Sequence, residues 1–258
     1  MTAARERITE AIRAANRRGG PALVAFMTAG YPSRAHFREH LQAIASGADV
    51  VEIGVPFTDP MADGVTIQRA SRVALEQGVS LRWILSELGA LPLKAPLILM
   101  SYLNPLLAVG LEWLARAAAD AGVAGFIVPD LPLDESGEFS AALEPHALAL
   151  IQMVTPVTQA ARLARVCTAS QGFVYAVTMT GTTGRNVDVP QPVLDYLARV
   201  RAQSRVPMCA GFGIRTQAQV ARLASHVDGV IVGSALVEVL ERHADPAAWL
   251  AALRAPAR

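Results

Sequence analysis

Cysteine is scarce: Cys167 and Cys209 are the only two in 258 residues, and neither belongs to a CxxC pair. That excludes a disulfide framework and a thiolate zinc site, and it fits a reducing cytoplasm. Long apolar runs are also missing. Stretches such as Pro96 to Met100 are strand-sized, and Met1 to Gly20 is charged and Ala-rich, without the apolar core of a signal peptide. The chain is therefore expected to be soluble and cytoplasmic. Nor is there an excess of either charge. Twenty-three basic residues against 22 acidic ones leave a net charge of +1, too little to attract nucleic acid or an anionic membrane. No Pro/Ser-rich linker, low-complexity tract or repeat of sequence identity divides the chain, so residues 1–258 are expected to form a single domain. Metal and dinucleotide motifs are incomplete. His36 and His40 have i, i+4 spacing, but Phe37 stands where a zinc protease needs its glutamate, and no metal is expected. Gly211, Phe212 and Gly213 follow an apolar run, but Thr216 occupies the place of the third glycine of a nicotinamide fingerprint.

What is present is alternation. With 52% hydrophobic residues the chain can bury a large core. Eight short aliphatic runs are separated by Ala/Leu/Arg-rich segments of helical period. They are Leu23 to Thr28, Val50 to Gly54, Leu97 to Tyr102, Gly125 to Pro129, Leu148 to Val154, Gly172 to Thr178, Pro207 to Ala210 and Gly229 to Gly233. Eight βα units in about 250 residues predict a (β/α)8 TIM barrel, with a doubly wound open sheet as the alternative that periodicity leaves open. Thr2 to Arg18 reads as an extra N-terminal helix over the barrel bottom. Ser33 and Ser80 are predicted helix starts, and Gly47 and Gly122 are predicted to lie just past helix ends.

In a barrel, chemistry belongs at the C-terminal strand ends. Glu52, inside the second run, is the anomaly there. It is either a buried acid with a raised pKa, suited to proton transfer, or a residue turned outward to meet a helix arginine. Asp59 before Pro60 and Asp63 before Gly64 read locally as turn residues, although Asp63 also suits a lid-borne catalytic group. Glycine-rich spots follow the last three runs, at Gly181 to Gly184, Gly211 to Gly213, and Gly233 with Ser234. Ser234 opens a short helix, and together these spots predict a phosphate site. Tyr102 and Asn104 ring the same mouth. So does Asp130, which either orients a loop or caps a backbone amide.

The run EIGVPFTDPMADGVTIQ from Glu52 to Gln68 resembles the signature of tryptophan synthase alpha chains. TAGYP at Thr28 to Pro32, SYLNP at Ser101 to Pro105, PDLP at Pro129 to Pro132, GFGI at Gly211 to Ile214 and GSALV at Gly233 to Val237 extend the resemblance over nearly the whole chain. The resemblance implies cleavage of indole glycerol phosphate, with Glu52 and Asp63 as the catalytic carboxylates and Asp59 in a partner-facing loop. It implies phosphate contacts at Gly184, Phe212, Gly213, Gly233 and Ser234, and a substrate pocket lined by Phe26, Tyr102 and Tyr175, with Asp130 beside them. Thr183 matches a mobile-loop threonine that closes near Asp63. It further implies no cofactor in this chain, and a beta-chain partner holding pyridoxal phosphate in an α2β2 assembly. A stand-alone indole-releasing lyase and a regulatory alpha-like subunit are the alternatives. The chain departs from the family pattern at Thr58 and Thr178, where serine is commoner, and at Thr182, where valine is.

Overall fold

A computed structural model describes residues 3–89, 91–178, 189–211 and 213–254. Its frame is a closed barrel of eight parallel strands in sequential order. The element order is α1 (Ala4–Arg17), β1 (Ala22–Thr28), α2 (Phe37–Gly47), β2 (Val50–Gly54), α3 (Val65–Glu76), α4 (Leu81–Leu88), β3 (Leu97–Met100), α5 (Leu103–Leu107), α6 (Leu111–Asp120), β4 (Val123–Ile127), α7 (Gly137–Leu143), β5 (Ala149–Val154), α8 (Ala160–Ala169), β6 (Val174–Val177), α9 (Gln191–Gln203), β7 (Met208–Gly211), α10 (Gln217–Leu223), β8 (Gly229–Val232), α11 (Ser234–Glu241) and α12 (Pro246–Arg254). Closure between β1 and β8 excludes the open-sheet alternative.

The strands are buried on both faces because the pleat sends alternate side chains into two separate cores. Leu23, Ala25 and Met27 of β1 point outward to the helix layer, where they join Val51 and Ile53 of β2 and the helix residues Phe37, Leu41 and Ile44. Ala22 and Val24 point inward, with Val50, Ile98, Ala149, Ile151, Phe173, Tyr175, Cys209 and Ile231. Helix α1 closes the bottom of this inner core. Its buried residues Ile8, Ile12 and Ala15 recur at i, i+4 and i+7 and pack directly into it.

Local punctuation agrees with the sequence reading in part. Ser80 caps α4, its side chain accepting from the Trp83 N–H at 3.3 Å, and Gly122 lies past the end of α6 at φ +78°. Ser33, however, precedes a single 3-10 turn from Arg34 to His36 without a side-chain cap, and α2 begins after it at Phe37. Gly47 is the last residue of α2 rather than the one beyond it, because the extended Ala48 already ends the helix. The third strand stops at Met100, two residues early, and Tyr102 becomes the N-cap residue of α5.

Candidate active site

Glu52 is on the inner face of β2, between Val50 and Gly54, and is 1% exposed. Among the described residues its Oε2 finds no hydrogen-bond partner. Burial, with a smaller contribution from the negative Asp63, pushes its carboxyl up to about 8. An outward Glu52 paired with a helix arginine is thereby excluded, and the side chain is a neutral acid near pH 7.

Asp63 comes from the loop between β2 and α3 and is half-buried. Burial raises its pKa, opposed by a hydrogen bond from the Tyr102 side chain. The Tyr102 hydroxyl also accepts from the Ala62 N–H at 2.8 Å, so one phenol pins the loop on both sides of the Ala62–Asp63 bond. Phe57 packs on the Tyr102 ring, with centroids 5.3 Å apart. Asp130 Oδ1 accepts from the Leu103 N–H at 2.9 Å, which caps the start of α5 and holds Tyr102 at its N-cap. Asp59 is exposed and accepts a hydrogen bond from Thr58 Oγ1.

Phe26, opposite Glu52 in the β1–β2 register, lines a cavity with Thr28, Asp63, Met100, Tyr102 and Pro129. Tyr175 points into the inner core from β6. Burial above all, then Glu52, Cys209 and Asp63, raises its phenol well above the ordinary value, so the hydroxyl is neutral. Two strand-end glycines make room for these rings. A Cβ on Gly54 would lie 2.5 Å from Phe26 Cζ, and one on Gly211 would lie 2.6 Å from the Tyr175 hydroxyl. Their role as clearances was not read from the sequence, where glycine at a strand end signals only a turn. We expect Gly211→Ala to displace the Tyr175 ring and lower the kcat/KM of the site's reaction by about 10-fold or more, consistent with the cost of misplacing a site group by an ångström. A melting temperature within a few degrees of wild type would show that the loss is local.

At the other side of the mouth, Gly233 is the N-cap residue of α11 and Ser234 is its first residue. Gly233 approaches Phe26, an added Cβ coming to 3.7 Å from Phe26 Cβ. Gly213 has φ +77° in the turn after β7. Thr183, Gly184 and Phe212 lie outside the described residues, as do Gly181 and Thr182. Thr28 is the residue of this mouth that the sequence reading quoted only as part of a motif. Its parity with Phe26 along β1 is the signal that places it on the inner face. Among the described residues no group of three or more His, Cys, Asp or Glu side chains is placed to hold a metal ion, and no helix is long and apolar enough to cross a membrane.

The family model described as tryptophan synthase alpha chain matches residues 12–255. The alpha chain from Nitratidesulfovibrio vulgaris strain Hildenborough is 45% identical over 249 residues, covering 95% of this chain and 97% of that one. The chain belongs to the tryptophan synthase alpha chain family. A Mycobacterium tuberculosis tryptophan synthase structure superposes on this alpha chain with a TM-score of 0.88 at 37% identity, covering 97% of this chain and 99% of that one. The alpha subunit from Legionella pneumophila strain Paris gives 0.83 at 35% identity, covering 96% and 95%. The alpha chain is thus a lyase of tryptophan biosynthesis that cleaves indole-3-glycerol phosphate. Alpha chains carry no cofactor of their own, pyridoxal phosphate belonging to the beta chain.

Proposed function

We propose that Glu52 is the acid that protonates indole C3 and that Asp63 accepts the ring N–H, the two acting together in retro-aldol cleavage. The observation that carries this reading is the carboxyl of Glu52, buried, with Oε2 unpartnered among the described residues and titrating near 8 beside a second carboxylate. An indole must gain a proton at C3 before the bond to its side chain can break, and a neutral carboxylic acid supplies that proton at physiological pH. Protonation makes the ring cationic. A negative Asp63 at the ring nitrogen then gains most as that charge develops, which is stabilisation of the transition state rather than of the bound substrate. Glu52, now a carboxylate, takes the proton of the adjacent side-chain hydroxyl as the carbon–carbon bond breaks and its electron pair returns to the ring, which leaves indole and glyceraldehyde 3-phosphate and restores the acid. The aromatic rings of Phe26, Tyr102 and Tyr175 form the pocket for the indole, and Asp130 acts through Tyr102. Gly213, Gly233 and Ser234, with Gly184 and Phe212, hold the phosphate by backbone N–H groups and the N-terminus of α11.

The relatives solved as tryptophan synthase support a beta-chain partner that receives the indole, in an α2β2 assembly. Residues 1–258 form one functional domain in this reading, working in the cytoplasm. The test is indole release from indole-3-glycerol phosphate by the purified chain, with and without a beta chain. Cleavage accelerated by the beta chain is expected. Strong cleavage that the beta chain leaves unchanged would favour a stand-alone lyase, and binding to the beta chain without any cleavage would favour a regulatory subunit.

A further inference from the structure

Among the described residues three buried side-chain polar atoms have no hydrogen-bond partner: His40 Nδ1 in the outer helix layer, Glu52 Oε2 and Thr28 Oγ1. The reaction uses Glu52. Thr28 has no part in it, yet the residue is 1% exposed and lines the same cavity as Asp63 and Tyr102. Native folds seldom bury a hydroxyl without a partner, and an exception at a site mouth asks for a ligand atom.

The barrel order indicates which atom. β1 lies between β8 and β2, hydrogen-bonded to both. The acid that meets the ring is on β2, and the phosphate grip follows β7 and β8. The carbon chain that joins ring to phosphate therefore crosses the end of β1. Along the inner face of β1 stand Ala22, Val24, Phe26 and Thr28, and Thr28 alone of these carries a polar group. It pairs in register with Gly54, which presents no side chain, so the hydroxyl faces the cavity without a bulky neighbour on that strand. We propose that Thr28 is a specificity-determining residue that hydrogen-bonds a hydroxyl of the substrate's linking chain. The inference rests on the placement of ring and phosphate given under Proposed function. Fixing that hydroxyl fixes the torsion of the chain, so that ring, chain and phosphate are held in one geometry with C3 towards the acid. A ligand with the same ring and phosphate but no hydroxyls gains nothing from Thr28.

The test compares wild type with Thr28→Val, which keeps the shape and removes the hydroxyl, and with Thr28→Ser, which restores it. Each is assayed for kcat and KM with indole-3-glycerol phosphate, and for the Kd of 3-indolylpropyl phosphate, which has ring, chain and phosphate but no hydroxyl. Thr28→Val is expected to lower kcat/KM by about 10- to 100-fold, the range for stranding one buried hydrogen-bonding group. Binding of 3-indolylpropyl phosphate is expected to stay at the wild-type value, and Thr28→Ser to recover most of the activity. Wild-type turnover by Thr28→Val would overturn the proposal. So would a parallel loss of 3-indolylpropyl phosphate binding, because a role in packing alone would weaken both ligands. A wild-type chain that neither binds nor cleaves either compound would instead overturn the substrate placement itself, a result distinguishable because no variant is needed to see it.

Discussion

Glu52→Gln is expected to release indole at a rate about 100- to 10,000-fold below wild type, the contribution of a positioned general acid. The amide matches the carboxylic acid in shape and in hydrogen-bonding ends but has no proton to give. The same substitution should stabilise the fold. Glu52 has a folded pKa of about 8 against an ordinary value of 4.5. Between these values the folded chain holds a proton that the unfolded chain releases. The stability associated with the neutral form is therefore complete below about pH 4.5 and is lost as pH rises towards 8. Over that window the loss amounts to as much as about 5 kcal/mol, partly offset in the variant by burial of the amide. Thermal unfolding at pH 8 should thus place Glu52→Gln roughly 5 °C or more above wild type, with the two curves converging near pH 4.5. An inactive variant that melts higher cannot owe its inactivity to misfolding. A lower melting temperature at pH 8 would show that the carboxyl is not held under the desolvation that the site requires.

Asp63→Asn is expected to lower kcat by about 100- to 1,000-fold with KM little changed, the pattern for a charge that acts mainly in the transition state. The carboxamide oxygen still accepts the ring N–H in the bound substrate, so binding survives. What disappears is the negative charge facing the cation that forms when C3 is protonated. A second consequence follows from the proximity of the two acids. Asp63 helps to raise the Glu52 pKa, so its neutralisation should move the Glu52 titration to lower pH. Steady-state kinetics across pH read both effects in one data set. A rise in KM with kcat intact would reassign Asp63 to ground-state binding.

The strands were legible because each is a short aliphatic run of the length that one barrel wall needs, as Val50–Gly54 shows by matching its predicted bounds. The direction in which Glu52 points was not legible. In a parallel barrel both faces of a strand are buried, so the alternation of polar and apolar residues that marks inside and outside in an antiparallel sheet is absent. Only the register against Phe26 and the membership of Val50 in the inner core settle it. Asp63 failed to stand out for a related reason. An Asp-Gly pair is a common turn, and the tyrosine that holds the loop, Tyr102, lies 40 positions from the Ala62 whose N–H it accepts. The extent of the third strand was overestimated because Ser101 and Tyr102 continue its pattern, while the cap from Asp130 that starts α5 comes from the next βα unit. The resemblance to alpha chains supplied the carboxylates that local pattern left open. It said nothing of the clearances at Gly54 and Gly211, which depend on distances between strands.

The most direct test of the account is the pH dependence of kcat/KM for indole release by the wild-type chain, which reports ionisations of the free enzyme. With Glu52 as the acid, the rate should hold through neutrality and fall as pH rises past about 8, where the carboxyl loses its proton. A rate that climbs as pH passes 8, or one that stays level to pH values where Glu52 is fully ionised, would contradict its assignment as the proton donor.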